Sequence, residues 1–62
     1  MVERKLLTLK QVSEIVGLKS NAIYKKIKAG EFPRQRYLSK QCVRWYSDEI
    51  QNWINGLPLK MD

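Results

Sequence analysis

Two short amphipathic helices that each end on a glycine, two β-rich runs behind a proline, and a third helix opened by acidic residues predict a mainly α fold with one small β-hairpin. At 62 residues the chain has room for a single domain, residues 1–62, with a core over about residues 6–57 and flexible ends. A chain this short is marginally stable and rests on the quality of a few large side chains.

Met1–Lys5 is polar and charged and reads as an arm. Thr8-Leu9-Lys10-Gln11 is the pattern of a capping box, in which a hydroxyl and a glutamine satisfy each other's backbone amides at a helix start. Leu9, Val12, Ile15 and Val16 then fall on one helical face, and Gly17 ends the helix because it takes the left-handed conformation without strain. Leu18 is expected to plug the turn. A second helix runs from about Ser20 to Ala29 and is stopped by Gly30. On a wheel of about 100° per residue, Ile23 and Ile27 form its buried side, while Asn21, Tyr24, Lys25 and Lys28 lie 100–200° away.

Glu31-Phe32-Pro33 turns the chain, since proline cannot continue a helix and drives the preceding residue to an extended conformation. Arg36–Leu38 and Val43–Trp45 are the two strands of a hairpin joined by Ser39-Lys40-Gln41-Cys42, a loop with no Asn-Gly turn. Ser47-Asp48-Glu49 opens the third helix, with serine as cap and two carboxylates at the positive end. Ile50, Trp53 and Ile54 give it an apolar face, and Gly56 and Pro58 end it. The tail from Leu57 is expected to lay Leu57 or Leu59 on the core. Trp45 and Trp53 read as core side chains, and Cys42 as a small hairpin residue. The order helix, glycine turn, helix, hairpin, helix is the plan of a winged helix-turn-helix, three helices plus a two-stranded wing.

Composition removes several classes of function. With one cysteine and no histidine there is no internal disulfide and no zinc site; there is also no cysteine–histidine pair and no phosphate-cradling glycine loop, and Asp48 and Glu49, neighbours on a helix, point about 100° apart, so an enzyme is not expected and no cofactor is implied. A lone thiol fits a reducing cytoplasm, no segment reads as a signal peptide, and none approaches the roughly 18 apolar residues of a spanning helix. The net charge of +6 is localised: eight Lys and Arg between Gly17 and Trp45 face Glu31 alone, a net of +7, and the rest of the chain carries −1. A basic segment that coincides with a helix-turn-helix points to double-stranded DNA as partner.

The second helix of such a motif enters the major groove. Asn21 can contact adenine, Lys25 and Lys28 guanine or phosphate, and Tyr24 the sugar-phosphate backbone or, alternatively, the core it roofs. Ser20 serves equally well as a phosphate contact or as the helix cap. Arg36, Lys40 and Arg44 would bring the wing's charge to the backbone or to a minor groove. Lys26 sits nearest the buried side and reads as a flanking solvated charge.

Leu6–Val12, Gly17-Leu18, Ile23-Tyr24, Ile27–Pro33, Val43-Arg44-Trp45 and Ile50 with Trp53-Ile54 together resemble the AlpA family of short phage and prophage regulators, related in fold to excisionases and to MerR-type DNA-binding heads. The resemblance spans Leu6 to Ile54. It implies a winged helix, sequence-specific DNA binding, a role in transcription control or prophage excision, and DNA contacts at Ser20, Asn21, Tyr24, Lys25 and Lys28, with Arg44 at the wing. Family members carry serine directly after Gly-Leu; Lys19 stands there in this chain, leading into the groove, and shifts the expected cap to Ser20. Their wing is often glycine-rich, whereas Ser39–Cys42 contains no glycine.

The reading is therefore a cytoplasmic, nucleoid-associated DNA-binding regulator, acting as a transcriptional regulator, an excisionase or both. An integrase or RNA polymerase is its expected protein partner, with cooperative self-association on DNA. The alternative is a small inhibitor whose basic face docks on an acidic protein. RNA binding is disfavoured by the lack of an aromatic platform or glycine clamp.

Overall fold

The computed structural model describes residues 5–59. In chain order it contains β1 (Leu6–Leu7), α1 (Leu9–Val16), α2 (Ser20–Lys28), β2 (Arg36–Ser39), β3 (Cys42–Tyr46) and α3 (Ser47–Asn55). The three helices are those expected. The sheet has three strands rather than two, antiparallel in the order β1-β3-β2. The extra strand pairs Leu6 with Tyr46 and Leu7 with Trp45, so the hairpin's second strand is central. Of the expected arm, Lys5 is fastened: its amide donates to Ser47 Oγ at 2.9 Å and its carbonyl accepts from the Ser47 amide at 2.8 Å. The remainder of the arm, residues 1–4, lies outside the described residues, as do residues 60–62 of the tail.

The capping box forms as read. Thr8 Oγ1 accepts from the Gln11 amide at 3.1 Å, and Gln11 Oε1 accepts from the Thr8 amide at 2.9 Å. Replacing Thr8 with alanine removes one of these bonds and is expected to cost about 1 kcal/mol, seen as a fall of about 4–8 °C in the thermal midpoint followed by circular dichroism. α1 ends at Gly17, whose φ of 75° is the left-handed conformation that favours glycine. The Ser13 hydroxyl donates to the Leu18 carbonyl across that turn, which fixes the angle at which α2 departs.

α2 closes in a Schellman arrangement: Glu31 N–H donates to the Lys26 carbonyl at 2.8 Å and Gly30 N–H to that of Ile27 at 3.0 Å, with Gly30 at φ 76°. These bonds turn the chain back so that Phe32 enters the core. Val12, Ile23, Trp45 and Ile50, from α1, α2, β3 and α3, and Phe32 from the turn after α2 are the buried residues among those described, and Leu7, Leu9, Val16, Leu18, Ile27, Val43, Trp53 and Ile54 pack around them. Both indoles satisfy their N–H on backbone carbonyls of the turn, Trp45 on Pro33 at 3.0 Å and Trp53 on Glu31 at 2.8 Å. The Phe32 and Trp53 rings meet at 4.6 Å.

Four local expectations are corrected. Ile15 is 51% exposed, because Leu9, Val12 and Val16 span only about 60° of α1 and Ile15 lies about 60° beyond them on the other side. Ser47 does not cap α3; Tyr46 is the N-cap residue and its side chain makes no capping bond, and the Ser47 hydroxyl is taken by Lys5. Asp48 and Glu49 do occupy the first turn. Neither Leu57 nor Leu59 covers the core; both are exposed. The hairpin loop is shorter than read, since Ser39 pairs with Cys42 and only Lys40 and Gln41 form the turn. No described non-glycine residue has positive φ, so the turn is not of the primed type; a register shift between Tyr37 and Ser39 leaves Leu38 as an extra residue instead. Such a bulge restores the twist that a glycine turn would otherwise supply.

Candidate nucleic-acid interface

α2 owes its place to one residue. Ile23 is completely buried and points the opposite side of the helix outward. Ser20, Asn21, Tyr24, Lys25 and Lys28 are all exposed, as is Lys19 immediately before them. The sequence-derived face is thus assembled on one helix. Its start differs from expectation: Lys19, at φ −77° and ψ 163°, is the N-cap residue and offers no side-chain acceptor, while Ser20 is already helical. Ser20 is therefore not the cap, and its hydroxyl has no partner among the described residues. Asn21 Oδ1 accepts from the Ala22 amide at 3.1 Å.

Of the two roles the sequence left open for Tyr24, the structure shows the core contact. Its ring lies 6.3 Å from that of Trp45, tilted by 55°, yet the residue remains 37% exposed. It roofs the central tryptophan while staying partly open to solvent. Lys26, which carries no site role, is paired with Glu31 at 4.0 Å.

The hairpin cations divide by what they already hold. Lys40 sits exposed in the turn. Arg44 is half-buried, and its Nη1 donates to the Val43 carbonyl at 2.7 Å. Arg36 is paired with Arg44 across the strands, so both leave the sheet on the same side, opposite to Trp45. Arg36 Nη2 donates to Glu49 Oε2 at 3.0 Å, and its guanidinium stacks 4.8 Å from the centre of the Tyr46 ring. Arg36 and Arg44 thus belong to the outer sheet face near the start of α3, not to the α2 face.

Arg34 belongs to the basic segment but is not among the contact residues that the sequence predicts. It is exposed between the Phe32-Pro33 turn and β2, and no ion pair engages it among the described residues. The same holds for Lys19, Lys25, Lys28 and Lys40. These five are the exposed cations of the central segment, Gly17 to Trp45, that hold no carboxylate among the described residues. Its position just after the proline turn, where the chain leaves α2, is the signal that would have added Arg34.

Among the described residues no three or more His, Cys, Asp or Glu gather where a metal could bind, and no helix is long and apolar enough to cross a membrane. Cys42 is a half-buried free thiol in β3.

No solved structure matches the chain. Among curated proteins it is similar to an uncharacterised protein, ORF88, of Enterobacteria phage P4, with 32% identity over 56 residues that cover 90% of this chain and 64% of the relative. The chain thus spans just under two-thirds of that protein. Residues 5–57, from the strand fastened to Ser47 to the end of α3, match the family model described as prophage CP4-57 regulatory protein (AlpA). That match takes in every element described above, and the chain belongs to the AlpA family of prophage regulatory proteins.

Proposed function

We propose that the chain is a winged helix-turn-helix protein that binds double-stranded DNA sequence-specifically and regulates prophage functions, as a transcriptional regulator, an excisionase or both. The exposed face of α2 carries this reading: Asn21, Tyr24, Lys25 and Lys28 project from a helix anchored by Ile23, and neither lysine has a carboxylate partner among the described residues. The succession α1, glycine turn, α2 and β-hairpin supports the winged-helix assignment, and membership of a prophage regulatory family supports the role.

In this reading α2 lies in the major groove. Asn21 selects adenine, Lys25 and Lys28 engage guanine or phosphate, and Lys19, Ser20 and Tyr24 set the helix on the backbone. Lys40 at the hairpin turn, with Arg36 and Arg44 on the sheet, adds flanking backbone contacts. A single module buries little DNA, so tight occupancy comes from several copies on neighbouring sites or from an integrase or polymerase partner. The work is done by occupying and bending DNA and needs no catalytic step. The protein acts in the cytoplasm, on the nucleoid.

Footprinting on the DNA upstream of its own gene tests site recognition. Titration at several salt concentrations tests the contact mode. With about five phosphates neutralised, log affinity is expected to fall against log salt with a slope of about −4 to −5. A flat salt response, or no shift of any duplex at low salt, refutes the assignment.

A further inference from the structure

We propose that Glu49 is an internal counter-ion that competes with DNA phosphate for Arg36 and so sets how strongly the sheet face holds the DNA backbone. The inference rests on the DNA-binding reading. Of the cationic candidate contacts, Arg36 alone is occupied by an anion: its Nη2 donates to Glu49 Oε2 at 3.0 Å, whereas Lys19, Lys25, Lys28, Lys40 and Arg44 pair with no carboxylate among the described residues.

The geometry of the pair is that of a substitutable ligand. A guanidinium presents the same planar fork to carboxylate and to phosphate, so the two compete for one site. The Tyr46 ring, 4.8 Å away, holds the guanidinium plane in place, and an arriving phosphate meets an arginine already ordered. Arg36 also stands directly opposite Arg44 in the strand register. Two like charges there repel, and Glu49 is what relieves them in the free protein. Glu49 in turn has nothing else to hold, since its Oε1 is shielded from solvent and makes no hydrogen bond. The pair is nevertheless weak enough to exchange, with side chains 53% and 32% exposed and therefore solvated.

The experiment measures affinity and salt slope on a specific duplex and on a random one, for the wild type, Glu49→Gln, Glu49→Ala, Arg36→Ala with Glu49→Gln, and Glu14→Gln. Either Glu49 variant is expected to bind both duplexes about two- to fivefold more tightly, the scale of an exposed ion pair. Its salt slope should be steeper by about 0.9, one additional phosphate. The double variant should lose both gains. Glu14 is exposed on α1 and has no partner among the described residues, so its neutralisation changes overall charge equally and should leave the slope unchanged. Thermal melts of each variant separate folding from binding, because a merely structural Glu49 would move the melting temperature and not the slope. Unchanged slope and affinity in both Glu49 variants, an equal gain from Glu14→Gln, or a gain that survives loss of Arg36 each overturns the role of Glu49 alone. Failure of the wild type to bind any duplex overturns the DNA reading, and this inference with it.

Discussion

Reversing Lys25 and Lys28 together, Lys25→Glu with Lys28→Glu, is expected to weaken duplex binding by at least about 100-fold. The change converts two attractive contacts with phosphate into two repulsive ones, and like charges brought together at an interface cost several kcal/mol. Both side chains are exposed and pair with no carboxylate among the described residues, so no ion pair within that set is lost. One structural cost does follow. Both lysines sit in the last turn of α2, where positive charge complements the helix dipole, and each reversal there costs roughly 0.3–1 kcal/mol. Lys25→Gln with Lys28→Gln avoids most of that penalty. It should reduce affinity less and flatten the salt slope by about 2, one phosphate for each lysine. Gel shift or fluorescence anisotropy, paired with circular dichroism to verify helix content, reads both variants. If regulation persists in cells when duplex binding has gone, the basic face works on an acidic protein instead.

The helices were legible because each is signalled within itself. Thr8 and Gln11 are three residues apart, Gly17 and Gly30 stand where left-handed backbone is needed, and Ile23 and Ile27 define a face without reference to anything distant. The polar face of α2 followed from that anchor, which is why its residues emerge on one exposed surface. What stayed hidden depends on partners far along the chain. Leu6-Leu7 is too short to show strand alternation, and its pairing is decided by Tyr46 and Trp45, about forty residues on. Ser47 has the chemistry of a cap, but the Lys5 amide claims its hydroxyl. Arg36 reads as one more free cation until β2 and α3 bring Glu49 to it. Charge counting locates a basic surface; only the fold tells which charges on it are already spent.

Trp45→Ala is expected to unfold most of the protein at 37 °C. Trp45 is the largest completely buried side chain and the meeting point of the fold. Its backbone pairs with Leu7 of β1, its ring supports Tyr24 of α2, and its indole N–H holds the Pro33 carbonyl in the turn after α2. Truncation removes a buried aromatic, leaves a cavity and strands that carbonyl, which together cost about 3–5 kcal/mol. A 62-residue domain has a total stability of roughly 3–9 kcal/mol, so this single change consumes most of it. Urea titration followed by circular dichroism measures the loss. A melting temperature within a few degrees of the wild type would show that the core does not centre on this residue. Trp45→Phe divides the two contributions: it keeps a ring beneath Tyr24 and loses the bond to Pro33, for an expected cost of about 1–3 kcal/mol with folding retained. Trp53→Ala should cost less than Trp45→Ala, because Trp53 is only half-buried against the edge of the core. DNA binding by the folded fraction then tests the link to function. With Trp45→Phe the α2 face stays supported and affinity should hold, whereas in Trp45→Ala the face loses its backing through Tyr24 and binding should fall together with helix content.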